Sequence, residues 1–259
     1  MKLFDWSNRR TLMIQVGMFA VSFFFFSLMF GWRGALIFMP VLIIHEMGHL
    51  WAMERFGLKV AGVYFTPLGA VAPAEFRRDF GSEAWIGIMG PLWGFGSALL
   101  GFVLFLIYPH AIFLAFFAMA AMLNLFNLIP VLPLDGSRVF RALTGSLSPK
   151  RSLWLFLFFT VVGIALLLQL SWLMAVVVVT MGWFGGELKA EYYRRIFFWN
   201  VEKHPELKRH PDYHQVAASY YRDPLSRRDK IWLAAVYLVL VVALTGMLLY
   251  AASFLKYLR

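Results

Sequence analysis

The 259-residue chain contains no cysteine. Disulfides and thiolate metal sites are therefore excluded, and a metal could be held only by His, Asp or Glu. Charge is also scarce: Asp, Glu, Lys and Arg make up 15% of the residues, against about 25% in an ordinary globular chain. Acidic residues are the scarcer sign, 14 against 24 Lys and Arg. No internal repeat and no low-complexity tract is visible. What fills the chain is apolar: 61% hydrophobic and 18% aromatic residues, with mean hydropathy +0.70. A water-soluble domain needs more polar surface than this, so the composition predicts an integral membrane protein. The net charge of +10 then calls for no nucleic-acid partner, because basic residues collect on the cytoplasmic side of membrane proteins.

Apolar stretches lie near 11–31, 34–53, 84–107, 111–131, 153–169, 172–187 and 231–254. A spanning helix takes roughly 20 such residues. The fifth and sixth stretches are short and separated only by Gln169–Ser171, so 153–187 reads either as a helical hairpin or as one span. The expected fold is an all-α polytopic membrane protein with six to seven transmembrane helices. Lys2, Arg9 and Arg10 precede the first run, which continues to about Phe30 with no small-residue cleavage site after it. That pattern predicts an uncleaved span rather than a signal peptide.

Charge placement orients the chain. With the N-terminus inside and seven alternating spans, 21 of the 24 Lys and Arg fall on the inner side. Only Arg33, Lys256 and Arg259 fall outside. The asymmetry predicts a multi-pass protein of a bacterial or archaeal cell membrane with a cytoplasmic N-terminus. Residues 57–80, rich in Gly, Pro and β-branched side chains, suit a small membrane-associated β-hairpin at the inner face. Residues 188–230 form a basic cytoplasmic segment, with an interfacial amphipathic helix expected around Tyr192–Trp199.

Ionisable residues inside a span are costly and mark function by default. The second stretch contains HEMGH: His45, Glu46, Met47, Gly48 and His49. The two histidines are i and i+4, so both imidazoles lie on one helix face and could share one tetrahedral Zn²⁺. Glu46 lies about 100° around the helix, near such a metal without ligating it, placed to take a proton from water. A zinc site used in catalysis takes a third protein ligand, and the best candidate is Asp135 in NLFNLIPVLPLDGSR (124–138). Asp-Gly is also a common turn pair, so Asp135 taken alone fits a helix-end turn equally well. Pro130 and Pro133 break that helix, and a broken helix at membrane depth is tolerated where it lines a cavity. His49 lies six residues before Arg55, about 9 Å below the inner surface, and Asp135 approaches from the same side. His204, His210 and His214 read as part of a solvated basic loop, since prolines interrupt any helical ligand face. Asn124 is expected to bridge helices through a hydrogen bond, and Pro40 to kink the HEMGH helix.

With these motifs the chain resembles the site-2 protease family of intramembrane zinc metalloproteases, over roughly residues 34–138. HEMGH is similar to the family's first motif, and Asn127–Leu–Ile–Pro130–Val–Leu–Pro133–Leu–Asp135–Gly136 to its second, N-x-x-P-x-x-x-L-D-G. The resemblance implies that His45, His49 and Asp135 ligate one Zn²⁺ per chain and that Glu46 is the catalytic base. It also implies that Asn127 binds the substrate backbone or the oxyanion. Gly90–Pro91 looks like a further family feature, but the Asn that often follows is missing, with Trp93 and Gly94 in that stretch. The expected organisation is an N-terminal transmembrane helix (1–33), a metalloprotease core (34–187), the basic segment (188–230) and a C-terminal transmembrane helix (231–259).

The implied function is hydrolysis of peptide bonds in transmembrane segments of membrane-protein substrates, at a site near the cytoplasmic side. A helical substrate must unwind first, and the edge of the 57–80 hairpin could pair with the unwound strand. Two other readings stand beside it: a zinc-binding membrane protein without proteolytic activity, and an ion transporter. The first has no use for Glu46. The second commonly carries internal repeats and paired broken helices, of which the sequence has neither repeat nor pair.

Overall fold

Asn8 opens the first helix. Its side-chain oxygen accepts hydrogen bonds from the backbone N–H groups of Arg10 (3.0 Å) and Thr11 (3.2 Å), which satisfies donors that a helix start leaves unpaired. The computed structural model describes residues 4–58, 60, 63–66, 69–71, 80–145, 147–170, 172–184, 187–209, 213 and 225–255. Helix α1 runs Arg9–Arg55, 47 residues. As one straight rod it would be about 70 Å long, more than twice the roughly 30 Å of a bilayer core. Gly31 prevents that. Its φ of 73° and ψ of 160° lie where residues with a Cβ are strained. Phe26 and Phe38 would stand about 18 Å apart along a straight helix, yet their ring centroids are 4.7 Å apart. The chain therefore folds back at Gly31 into two arms, which correspond to the stretches 11–31 and 34–53. Pro40 keeps helical backbone angles, so the break lies at Gly31 and not at the proline.

Strands β1 (Tyr64–Thr66) and β2 (Gly69–Val71) pair antiparallel, in register Tyr64↔Val71, Phe65↔Ala70 and Thr66↔Gly69. Val63 and Phe65 alternate inward, as strand geometry requires, and both are fully buried against α1. Phe65 meets the rings of Phe19 at 5.2 Å and Phe4 at 6.3 Å. The rest of the expected hairpin, residues 67–68 and 72–79 among them, lies outside the described residues.

The remaining helices are α2 (Phe80–Ile107), α3 (Ala111–Asn127), α4 (Asp135–Thr144), α5 (Pro149–Leu170), α6 (Trp172–Phe184), α7 (Glu187–Lys203) and α8 (Arg227–Leu255), with a 3₁₀ turn at Pro205–Arg209. Among the described residues, α1, α2, α5 and α8 are long and apolar enough to cross a membrane. The 153–187 region forms two helices that touch, α5 and α6. At 13 residues α6 is about 20 Å long, short of a full crossing. Ser226 caps α8, accepting from the Asp229 N–H while its hydroxyl donates to the Asp229 carboxylate.

The chain divides into two units, one of residues 1–77, 86–127 and 236–259, the other of residues 78–85 and 128–235. In the first, α3 packs along α1, and the end of α8 closes on α2 and α3: the Tyr250 ring lies 5.3 Å from Phe102 and 6.5 Å from Phe117. In the second, α7 packs on α5 and α6. Helix α7 covers the expected interfacial helix, but its inward stripe carries charge. Glu191, Arg195, Phe198 and Val201 are all buried. Arg195 donates to Glu191 (2.7 Å), to the Ser152 carbonyl (2.8 Å) and to the Ser152 hydroxyl. Arg194 pairs with Glu191 at 2.8 Å, and Arg141 of α4 lies between Glu191 (3.8 Å) and Glu83 (3.4 Å). A charged pair at i and i+4 reads in the sequence as a solvated face; here each partner makes the other's burial possible.

Candidate metal centre

The second arm of α1 carries the HEMGH run, and His45, Glu46 and His49 are all buried. The i, i+4 spacing sets the two imidazoles edge to face, ring centroids 4.7 Å apart. Each ring is held by its Nδ1. His49 Nδ1 lies 2.7 Å from the Ile86 carbonyl oxygen. That oxygen can only accept, so His49 donates from Nδ1, which in the neutral ring leaves the lone pair on Nε2. His45 Nδ1 lies 2.7 Å from the amide oxygen of Asn124. The Asn124 nitrogen donates to the Ala120 carbonyl at 2.7 Å, which assigns oxygen to the His45 side. His45 therefore also donates from Nδ1.

Both Nε2 atoms, each with its lone pair, then face one another at 3.1 Å. Two such lone pairs repel unless a cation or a proton lies between them. In tetrahedral zinc coordination at Zn–N distances of about 2.0–2.1 Å, ligand nitrogens stand about 3.3 Å apart. The pair thus has the spacing and the tautomers of metal-binding histidines.

Asp135 is the first residue of α4 and is buried. The helix α3 ends at Asn127, and residues 128–134 fold back by short-range bonds, Val131 N–H to the Ile129 carbonyl and Leu134 N–H to that of Val131, both 2.8 Å. Gly136 follows, where a Cβ would come within 2.1 Å of the Leu128 carbonyl oxygen. The sequence places Asp135 at the end of the fourth stretch; it stands at the start of a new short helix. Asp135 offers a buried carboxylate of the kind that completes a metal site begun by two histidines.

Asn127, the last residue of α3, is half-buried and its amide nitrogen donates to the Leu123 carbonyl at 3.1 Å. The amide that touches a histidine is Asn124, one turn earlier. The sequence reading had it as a helix-bridging hydrogen bond without a partner. Its signal was an amide in an apolar helix, and only the rotation of α3 identifies His45 as the partner. His204 is exposed and lies 3.2 Å from Glu206, as a loop histidine does; His210 and His214 lie outside the described residues.

Residues 33–111 match peptidase family M50. The chain is similar to a zinc metalloprotease of Methanocaldococcus jannaschii, 35% identical over 118 residues that make up 42% of this chain and 33% of that protein. It thus spans about a third of the length of this curated relative. It is also similar in structure to the site-2 protease from Methanocaldococcus jannaschii, with 22% sequence identity and a TM-score of 0.48, covering 68% of this chain and 88% of that one.

Proposed function

We propose that this chain, a multi-pass membrane protein whose residues 33–111 match peptidase family M50, is a zinc metalloprotease that hydrolyses peptide bonds in transmembrane segments of other membrane proteins. The observation that carries the reading is the buried pair His45 and His49, Nε2 atoms 3.1 Å apart, with Glu46 buried in the same apolar helix; Asp135 is the proposed third ligand. Those three side chains would hold one Zn²⁺. When bound, Zn²⁺ polarises a carbonyl and lowers the pKa of water.

The chain's own residues would do the rest. The Asn124 and Ile86 oxygens keep the Nδ1 protons of His45 and His49 in place, leaving both Nε2 atoms as ligands. Glu46, a carboxylate and not one of the three ligands, takes the proton of the attacking water and passes it to the leaving amide nitrogen. Asn127 holds the substrate backbone or the oxyanion through its amide. A metal site that only binds has no need of a buried carboxylate at position 46.

The site would face the cytoplasmic side, with the N-terminus inside, on the distribution of Lys and Arg. An unwound substrate segment would add as a strand to the edge of the β1–β2 pair. Replacing Val63–Thr66 with prolines removes the backbone donors of β1. Cleavage should fall at least tenfold with zinc retained; unchanged cleavage would dismiss the strand-pairing idea.

The central test is zinc content and cleavage in detergent-purified protein. Wild type should carry about one zinc per chain, and Asp135→Ala should lose most of it. Glu46→Gln should keep the zinc and lose cleavage by at least about 10²-fold, the usual contribution of a general base. Cleavage by Glu46→Gln at the wild-type rate would refute the mechanism. Folded wild type that takes up no zinc would refute the site.

A further inference from the structure

We infer that Asn124 is a positioning residue for His45, and that residue 94 is glycine because the Asn124 amide occupies the place of its side chain. The inference rests on the proposed zinc site and concerns how one of its ligands is oriented.

A buried amide in an apolar helix is expensive unless its donor and acceptor are both engaged. Asn124 has no exposed surface. Its nitrogen is tied to its own helix, to the Ala120 carbonyl one turn back. That bond leaves the oxygen aimed across to α1, where it meets His45 Nδ1 at 2.7 Å. The amide therefore fixes three properties of His45 at once: the ring plane, the tautomer and the direction of the Nε2 lone pair. An acceptor behind a ligating imidazole also raises its basicity.

The neighbouring helix is shaped around this contact. A Cβ at Gly94 would stand 2.0 Å from both Oδ1 and Nδ2 of Asn124. One turn earlier, a Cβ at Gly90 would stand 2.3 Å from His49 Nε2 and 2.9 Å from His45 Cε1. Gly90 and Gly94 are i and i+4 on one face of α2. Gly90 makes room for the imidazole pair, and Gly94 makes room for the amide that orients one of them. A generic interhelical hydrogen bond between α1 and α3 explains a polar partner for Asn124, but not a third helix cleared at the same point.

The orienting group has the chemistry of a neutral acceptor, with no charge of its own to add to the site.

The test uses the full chain in detergent, wild type beside Asn124→Leu, Asn124→Asp and Gly94→Ala. Zn²⁺ affinity is measured by chelator competition, and the His45 tautomer by ¹⁵N resonances of histidine-labelled, metal-free protein. Asn124→Leu keeps the size and removes the acceptor. Zn²⁺ affinity should fall about 10–100-fold, the usual cost of losing the partner behind a ligand, and the Nδ1–H tautomer of His45 should no longer dominate. Gly94→Ala displaces the amide without deleting it and should move both readouts the same way. Asn124→Asp keeps an acceptor and should stay within about tenfold of wild type.

A thermal melt of each metal-free variant separates folding from positioning. If Asn124→Leu and Gly94→Ala are destabilised, yet bind Zn²⁺ with wild-type affinity and keep the tautomer, the positioning role is overturned and the residue is only a packing contact. If wild type itself binds no Zn²⁺, the site and the positioning role fail together. Wild-type binding with an unaffected Asn124→Leu removes the positioning role alone and leaves the proposed function standing.

Discussion

His45 and His49 are four residues apart on one helix, so their convergence follows from helix geometry, and the 3.1 Å between their Nε2 atoms bears that out. Glu191 and Arg195 have the same spacing and pair at 2.7 Å on the buried face of α7. Burial alone would raise the pKa of the Glu191 carboxyl, but Arg195, Arg141 and Arg194 outweigh it and hold the group below its ordinary value of 4.5. A carboxylate with a depressed pKa stabilises the folded state above its unfolded pKa, and that contribution is lost as pH falls through the folded value. Glu191→Gln should therefore destabilise the protein at neutral pH by about 3 kcal/mol, the cost of leaving Arg195 buried without its counter-charge. In thermal melts the gap between wild type and Glu191→Gln should be full at pH 7 and close progressively below pH 4.5. A gap that stays constant into acid would assign the effect to packing.

At the scale of elements, lengths and breaks matter more than hydropathy. Seven apolar stretches were legible, but not that the first two form one hydrogen-bonded run interrupted at a single residue. Gly31 carries that break, and a Cβ there would meet no atom within 4 Å. Any penalty for a side chain is thus conformational rather than steric. Gly31→Ala should lower stability by about 1–3 kcal/mol, the range for a non-glycine residue held in such a region. Chemical denaturation in detergent reads this directly. Unchanged stability would mean that the turn tolerates another backbone conformation. Helix α3 illustrates a different limit. Its end at Asn127 was placed a few residues late, because Leu128 and Ile129 are as apolar as the helix before them. Pro130 and Pro133 act on the chain ahead of them, so residues 128–134 leave the helix before the first proline.

At the scale of the whole molecule, the strongest claim from sequence is orientation, and the absence of cysteine makes it simple to test. Single cysteines at Ser148 and His110, both exposed, can be labelled against no background. With the N-terminus inside, a membrane-impermeant maleimide added to intact cells should label His110→Cys and spare Ser148→Cys until the membrane is opened. The reverse pattern would put the site on the outer side and refute the cytoplasmic placement.

The sequence by itself determined the solvent, because a chain 61% hydrophobic cannot satisfy its surface in water. It also determined the chemistry available, because without cysteine the metal-ligand candidates reduce to His, Asp and Glu, and two of them share one helix face. The tertiary structure alone decided which groups stand behind those candidates. That Asn124 rather than Asn127 reaches His45, and that the Ile86 carbonyl holds His49, depends on helix rotation and on the close approach of α2 at Gly90 and Gly94. In a helix that is apolar all round, periodicity does not single out an inward face, so the rotation is set by packing against neighbours and is not written in the local sequence.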